Sequence, residues 1–520
     1  MSYDYVIVGG GSAGATLAAR LSERPGCTVL VLEAGADGPL GTADDRVANV
    51  SFAATPRDWG MRAHVTSERE VEYPQGRFVG GGSSVNGALA FRGTPSDYDG
   101  WAAAGNPSWS YAHLLPCLRR LEDDHDFGTD TDVHGRGGPI PIVRWPADDL
   151  VPLQEAFRAG CEATGSPWCT DLNAPGTAGV GPLPMNRDGA VRVSTALAYL
   201  APARERANLD VRGGAHAARV CIERGRAVGV EVLTAGGTER IDAGTVVLSA
   251  GSILTPGLLW RSGVGPGDAL RELGIEPVVD NPAVGANLTD HPGAFVFAQP
   301  ADDVGPTDPQ YQLAARASST TGTADDLFVS MMNVFDLAAM PDLRAALGAP
   351  TAVVLTCGVH EPRSRGRVTL ESADPRAAPR IELNLLSDPA DASRLVEGIR
   401  RCREVARAGM SKFVRSIAFL DDDDFADDAR LEAYARSVAA PWYHPVGTCR
   451  MGPADAGDTV VGDDLAVHGV EGLRVADVSV LPTIPRANTM LAAILVGEIA
   501  ARLIAADSRA DPATRALDGR

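Results

Sequence analysis

The sequence has no Cys-x-x-Cys pair, few aromatic residues, no long apolar run and fewer basic than acidic residues. Each shortage excludes something. The eight cysteines, at 27, 117, 161, 169, 221, 357, 402 and 449, are scattered through the chain. Without paired spacing they read as reduced core thiols rather than a disulfide framework or a zinc set. Lys and Arg number 47 against 67 Asp and Glu, a formal net charge of -20. Such a chain offers no electrostatic attraction to nucleic-acid phosphates or anionic lipid. No stretch approaches the roughly 18 uninterrupted apolar residues of a membrane span, and Met1 to Gly10 runs into a strand pattern with no basic segment before it. The expectation is therefore a cytoplasmic protein with neither nucleic acid nor membrane as partner. Aromatics make up 5%, which disfavours a large aromatic cage around a quaternary ammonium or flat ring.

What is present is the composition of a large folded enzyme. Hydrophobic residues are 45% and charged residues 22% of 520, so disorder and fibrous repeats are excluded and a multi-domain chain fits. Gly 57 and Pro 36 predict many ordered turns. No internal repeat is visible.

Tyr5-Val6-Ile7-Val8 is a short apolar run suited to a buried parallel strand, and Gly9-Gly10-Gly11-Ser12-Ala13-Gly14 follows at once. Ala15, Leu17, Ala18 and Leu21 then repeat at helical spacing, and Thr28 to Leu32 forms a second strand pattern ending in Glu33. This is G-x-G-x-x-G in a strand, turn, helix, strand setting. Gly9 makes the tight turn, Gly11 lets a pyrophosphate approach the backbone, and Gly14 lets the helix pack closely. The helix N-terminus holds the diphosphate charge, and Glu33 can accept from ribose hydroxyls. The unit predicts a dinucleotide without separating NAD from FAD, while an acid at this position argues against NADP.

Three later segments bear on that choice. Arg77-Phe78-Val79-Gly80-Gly81-Gly82-Ser83-Ser84-Val85-Asn86-Gly87 puts consecutive backbone N–H groups and small side chains where a flat or anionic group could lie. Val246-Val247-Leu248-Ser249 is another buried strand pattern leading into Ala250-Gly251. It continues through Ser252-Ile253-Leu254-Thr255-Pro256 to Ser262-Gly263-Val264-Gly265-Pro266. Near the C-terminus stand Trp442-Tyr443-His444-Pro445-Val446-Gly447-Thr448-Cys449-Arg450-Met451-Gly452, then Ala476-Asp477-Val478-Ser479-Val480-Leu481-Pro482 and Asn488-Thr489. In their order and spread over nearly the whole chain, these blocks resemble the signatures of the glucose-methanol-choline (GMC) oxidoreductases, FAD enzymes that oxidise alcohols.

The resemblance implies an α/β fold: a Rossmann-like FAD-binding domain and a second, α+β substrate domain made of a sheet backed by helices. The implied division is 1–290 for the FAD region, 291–443 for the substrate domain, and 444–520 for a return to the FAD domain carrying the catalytic residues. The cofactor-binding set is Gly9, Gly11, Ser12, Ala13, Gly14, Glu33 and Ala34 in the first turn, and Arg77, Gly80, Gly81, Ser84, Asn86, Gly87 and Ala88 in the first signature. Ala217, whose backbone would meet the adenine, joins Ala250, Gly251, Asp477, Val478, Asn488 and Thr489. Some choline-type members attach FAD through a histidine where this chain has Val85, so the resemblance implies non-covalent FAD. Val478 stands where the family usually has Ala, a conservative departure.

Oxidising an alcohol removes the hydroxyl proton and the carbinol hydride; the hydride goes to the flavin, and the protein supplies the base. Neutral imidazole suits that task near pH 7, and the developing alkoxide needs a hydrogen-bond donor. By resemblance, His444 among nine histidines is the base and Asn488 the donor. Asn488 also sits where an ordinary helix N-cap would. The substrate is a small-molecule alcohol, with a lean to a sugar, glycoside or polyol hydroxyl. Choline and aryl or furan alcohols remain alternatives, as does an FAD-retaining hydroxynitrile lyase on the same fold. O2 or another electron acceptor reoxidises the flavin. Residues 294–345, with Met331-Met332-Asn333 and Phe335, are expected to decide specificity.

Other segments complete the map. Val228-Gly229-Val230-Glu231-Val232 alternates like a sheet strand, and Asn208 to Val211 begins a strand pair. Val368 to Leu370 and Arg380 to Leu383 read as strands of the second domain. A helix is predicted over 391–408, with Leu395, Ile399, Cys402 and Ala406 on one face. Met490 to Leu503 reads as a closing amphipathic helix. Asp421 to Asp424 is a solvated loop or helix start. Asp123-Asp124-His125-Asp126 with His134 reads as a flexible region whose spacing matches no metal pattern, and no metal is expected.

Overall fold

The computed structural model describes residues 2–38, 57–234, 236–338 and 340–510. Strand Ser2–Val8 is the pivot of the first sheet, since Val6, Ile7 and Val8 are apolar and buried on both faces. Parallel to it run Val29–Leu32 and then Leu209–Arg212 on one side, and Gly237–Leu248 on the other. Arg226–Thr234 and His216–Glu223 extend this side antiparallel, and Leu473–Val475 joins Gly237–Leu248 in parallel. Val8 lies level with Leu32 and Leu248, so three carboxyl ends open into one crevice, where ligands of open α/β sheets bind.

The second sheet is antiparallel, in the order Val414–Ile417, Pro292–Pro300, Thr351–Val359, Leu327–Asp336, Leu313–Ala317, Gly179–Pro182. Helix Pro389–Gly409 lies against it, with helices Pro152–Ala163 and Asp428–Val438 packed beside that helix. Leu395, Ile399, Cys402 and Ala406 all enter the core there, as the helical spacing predicts. The architecture is the expected α/β type, a Rossmann-like unit joined to a sheet backed by helices. Each unit has its own large apolar core.

Several expectations change in detail. Helix Pro152–Ala163 and strand Gly179–Pro182 come from before residue 290, yet build onto the second sheet. The strands expected near 368–370 and 380–383 form as Arg367–Thr369 and Arg380–Glu382. They pair with Arg62–His64 and Glu70–Glu72 in a separate four-stranded sheet, outside the substrate sheet. The closing helix is longer, Thr489–Ala510, and over its first three turns it is buried on nearly every side rather than on one face. It packs between helix Ser12–Leu21 and the chain around Tyr111–Leu121. With a mean hydropathy of 1.8 over its apolar window it is long and apolar enough to cross a membrane by composition, but 67% of that window is buried inside the protein.

The region from Asp123 to His134 is not the flexible segment expected from its charge. Glu122, Asp124 and His134 are buried, and His134 bonds Glu122 Oε1 at 3.1 Å and Asp171 Oδ2 at 2.8 Å. Arg144 closes on Asp124 and Asp171, and Arg92 on Glu122. With two guanidinium groups already compensating the carboxylates, this is an ion network of the fold. Asp421 does start a helix, accepting from the Asp424 N–H in a capping box. All eight cysteines are buried free thiols.

Candidate active site

A cavity of about 510 Å3 runs along the crevice of the first sheet and ends between the two cores. At its first-sheet end the turn after Ser2–Val8 is held by Gly9, with φ +104°, where a Cβ would lie 2.4 Å from the Ser249 carbonyl oxygen. Gly11 caps helix Ser12–Leu21 without any side-chain bond to its first N–H groups. Those donors at the positive end of the helix therefore face the cavity beside Ser12 and Ala13. Helix Gly251–Arg261 and helix Thr489–Ala510 also begin at this wall. Three helix N-termini converging on one cavity favour a ligand carrying negative charge.

Glu33 is buried at the end of Val29–Leu32, and its two oxygens accept from the N–H groups of Gly10 and Gly35 at 3.0 and 2.8 Å. Burial pushes its carboxyl up, against those two bonds. A carboxylate has about four lone-pair sites, so Glu33 can still accept from a ribose. Asp477 lines the wall too, but its oxygens are taken by the Gly251 and Ser479 N–H groups and the Thr255 hydroxyl. It ties the second glycine turn to the returning chain.

Of the expected cofactor set, Gly9, Gly11, Ser12, Ala13, Glu33 and Ala34 line the cavity, as do Gly81, Asn86 and Gly87. So do Ala217, Ala250, Gly251, Asp477, Val478, Asn488 and Thr489. Five others stand behind the wall. Gly14 is packed so that a Cβ would lie 2.0 Å from the Gly9 carbonyl oxygen. The Gly80 N–H donates to Gly10 O at 2.7 Å, and the Ser84 hydroxyl donates to Val79 O at 2.9 Å. The Ala88 N–H donates to Asn86 Oδ1 at 3.1 Å, and the Arg77 guanidinium covers Trp59. Val85 lines the cavity, as its place in the first signature implies, and Trp59 and His216 line it unanticipated. Trp59 meets His216 edge to face at 5.7 Å, a contact across sequence that no local pattern carries.

At the other end, Trp442 to Val446 runs beside Thr289 to His291, with the Trp442 N–H donating to His291 O and paired bonds between Thr289 and Val446. Tyr443 takes φ +61°, a left-handed conformation uncommon for a bulky residue. It turns the chain so that His444 N–H donates to Asp290 Oδ1 at 2.9 Å. The Tyr73 hydroxyl donates to Asp290 Oδ2 at 2.5 Å. Burial pushes the Asp290 carboxyl up to about 7.

His444 Nε2 lies 3.2 Å from Asn488 Nδ2, and both residues face the cavity. Burial lowers His444 to about 4, so at pH 7 it is a neutral imidazole able to accept a proton. Its Nδ1 lies 3.0 Å from His291 Nδ1, and His291 Nε2 lies 3.1 Å from the Pro485 carbonyl oxygen. His291 stacks on His360 at 4.6 Å, which stacks on Phe328 at 4.9 Å. His291 was undistinguished among nine histidines by sequence; its partners lie 153 and 194 residues away.

Beyond His444 the cavity wall is Phe295, Tyr311, Phe328, Met332, Trp442, Ser330 and Thr356. Within the segment expected to set specificity, Met332 reaches the cavity. Met331 points into the second core, and Asn333 is buried, bonding Pro309 O and Gln154. The side chain of Phe335 lies outside the described residues.

The comparisons with known proteins agree with this geometry. Residues 3–293 match the N-terminal family model of the GMC oxidoreductases and residues 362–497 the C-terminal one. The chain is 36% identical to 5-(hydroxymethyl)furfural oxidase of Methylovorus sp., over 95% of this chain and 97% of that protein. It is 35% identical to oxygen-dependent choline dehydrogenase of Photobacterium profundum, over 98% and 94%. The crystal structure of pyridoxine 4-oxidase from Mesorbium loti superposes with a TM-score of 0.87 at 30% identity, covering 96% of this chain and 98% of that one. The chain belongs to the GMC oxidoreductases, enzymes that bind FAD and act on alcohol donors.

Proposed function

We propose that this enzyme oxidises the primary hydroxyl of an aryl or furan alcohol to the aldehyde, using non-covalently held FAD. The observation that carries this reading is the pair His444 Nε2 and Asn488 Nδ2, 3.2 Å apart on the wall of a cavity that is also lined by aromatic side chains. The cavity suits FAD: helix N–H donors at Gly11 to Ala13 for a diphosphate, and Glu33 for a ribose. Gly82 and Gly251 also help, since a Cβ on either would meet no atom of the protein within 4 Å. Val85 lines the cavity and carries no atom able to bond covalently to the cofactor. Flavin, when bound, supplies the acceptor for the carbinol hydride.

The chain's own residues do the rest. His444 Nε2 takes the hydroxyl proton, and the Asn488 amide donates to the oxygen as its charge develops. The alcohol thus loses its proton to His444, and a bound flavin would take up the hydride. Phe295, Tyr311, Phe328 and Trp442 provide flat apolar surface for a ring and keep water from the carbinol. Ser330 and Thr356, whose hydroxyls are 2.7 Å apart and bonded to each other, are too few to replace the hydration of a sugar, which weighs against the polyol lean of the sequence. Similarity to a furfural oxidase and a pyridoxine oxidase supports the aromatic reading.

The test is anaerobic mixing of the purified yellow protein with benzylic and furan alcohols, choline, sugars and glycosides, followed at the flavin band. Fast bleaching by benzylic or furan alcohols is expected. Faster bleaching by a sugar or choline would overturn the aromatic assignment. A band that stays yellow with every alcohol would favour a lyase.

A further inference from the structure

His444 and three polar groups around it form a chain whose hydrogen-bond direction is set at both ends. At one end the Pro485 carbonyl can only accept, so His291 Nε2, 3.1 Å away, carries a proton. A neutral imidazole protonated at Nε2 has its lone pair at Nδ1. His291 Nδ1 is 3.0 Å from His444 Nδ1, so His444 Nδ1 carries the proton of that bond. At the other end the Asn488 amide nitrogen can only donate, and it lies 3.2 Å from His444 Nε2, which therefore offers its lone pair. Pro485 and Asn488 belong to one short loop, so the two ends of the chain are held together.

We propose that His291 is a positioning residue that holds His444 in the Nδ1–H tautomer, so that His444 presents the bare Nε2 lone pair to the cavity. The inference rests on the reading of His444 as base. A free imidazole would favour the opposite tautomer slightly, with Nε2 blocked by its own proton. His291 also keeps accepting from Nδ1–H once His444 has taken the substrate proton, so the imidazolium gains a charge-assisted bond. His291 itself stays neutral because it is fully buried beside His360 and His444. The other charged or titratable groups facing this pair are Asp290, with Tyr73 and Tyr443 against it, and Arg316 and Arg486 beside His360.

Three measurements on the FAD-loaded full chain test the idea. In protein labelled with 15N-histidine, the His444 signal, identified by its loss in His444→Gln, should show a protonated Nδ1 and a bare Nε2 at neutral pH. A protonated Nε2 would overturn the proposal even if no variant folds. His291→Phe should keep the ring volume and the yellow colour but slow flavin reduction by about 10- to 100-fold, typical for loss of a histidine's outer partner. Its ascending pH limb should move to lower pH, since an imidazolium without its acceptor is harder to form. His291→Asn returns an acceptor near the Nδ1 position and should restore both rate and limb. A wild-type rate and pH limb in His291→Phe, or equal loss in His291→Phe and His291→Asn with FAD bound, would overturn it. If His444→Ala itself kept the rate, the base assignment would fail instead; an inactive His444→Ala beside a normal His291→Phe would fail this inference alone.

Discussion

Burial sets the working state of His444. With its basicity lowered to about 4, it is neutral across the physiological range, and it protonates only as pH falls through that value. Flavin reduction by substrate should therefore be flat with pH above about 5.5 and fall below it; a limb centred near 7 would mean that another group titrates. His444→Ala should retain bound FAD and lose most reduction, read by stopped-flow absorbance. Asn488→Ala should slow it by about 10² to 10³, the scale of one lost oxyanion donor. At this scale the sequence was legible where residues lie within a motif: His444, Asn488 and the first glycine turn. It was silent on His291, Trp59 and His216, which are placed by contacts across more than 150 residues. Ala88, Ser84 and Gly80 sit inside a signature yet behind the wall, because a turn presents only some of its residues to the ligand.

Helix Thr489–Ala510 shows what spacing alone misses. The sequence predicts an amphipathic helix, but neighbours on both sides bury its first three turns almost all round. Gly497 lies against helix Ser12–Leu21; a Cβ there would lie 2.5 Å from the Ala13 carbonyl oxygen. Gly497→Ala should displace the helix that faces the cofactor and cost about 1–3 kcal/mol by overpacking. Thermal melts with and without added FAD would register this as a lower Tm and weaker cofactor stabilisation, and an unchanged pair of melts would contradict it. The ion network around His134 makes a second element-scale case. Its carboxylate partners raise His134 to about 10 although burial opposes this. Against an unfolded value of about 6.5, that stabilisation is complete below pH 6.5 and is lost as pH rises through 10. The Tm of the wild-type protein should therefore fall between pH 7 and 10 more steeply than that of His134→Gln.

On the scale of the molecule, both units were legible in the sequence, whereas the path of the chain between them was not. Strand patterns identify strands; pairing is decided by register between segments far apart. Thus Gly179–Pro182 joins the second sheet, and Arg367–Thr369 and Arg380–Glu382 leave it for strands near residues 62–72. The cofactor cavity is walled by both units, so FAD should raise the Tm of the whole chain by mass action. With Val85 at the wall, acid precipitation should release all of the flavin into the supernatant; yellow colour retained in the pellet would mean a covalent link.

The first sheet takes Leu473–Val475 from more than two hundred residues after Gly237–Leu248, and the buried helix Thr489–Ala510 comes later still. During synthesis, at about 5–20 residues per second, the ribosome has made the glycine turns long before the segment that closes over them emerges. Until then the crevice has neither its third helix terminus nor Asn488. A nascent chain stalled earlier would expose apolar surface that holdases recognise and would lack the amide of Asn488, so the order of translation delays assembly of the site until this segment has been made.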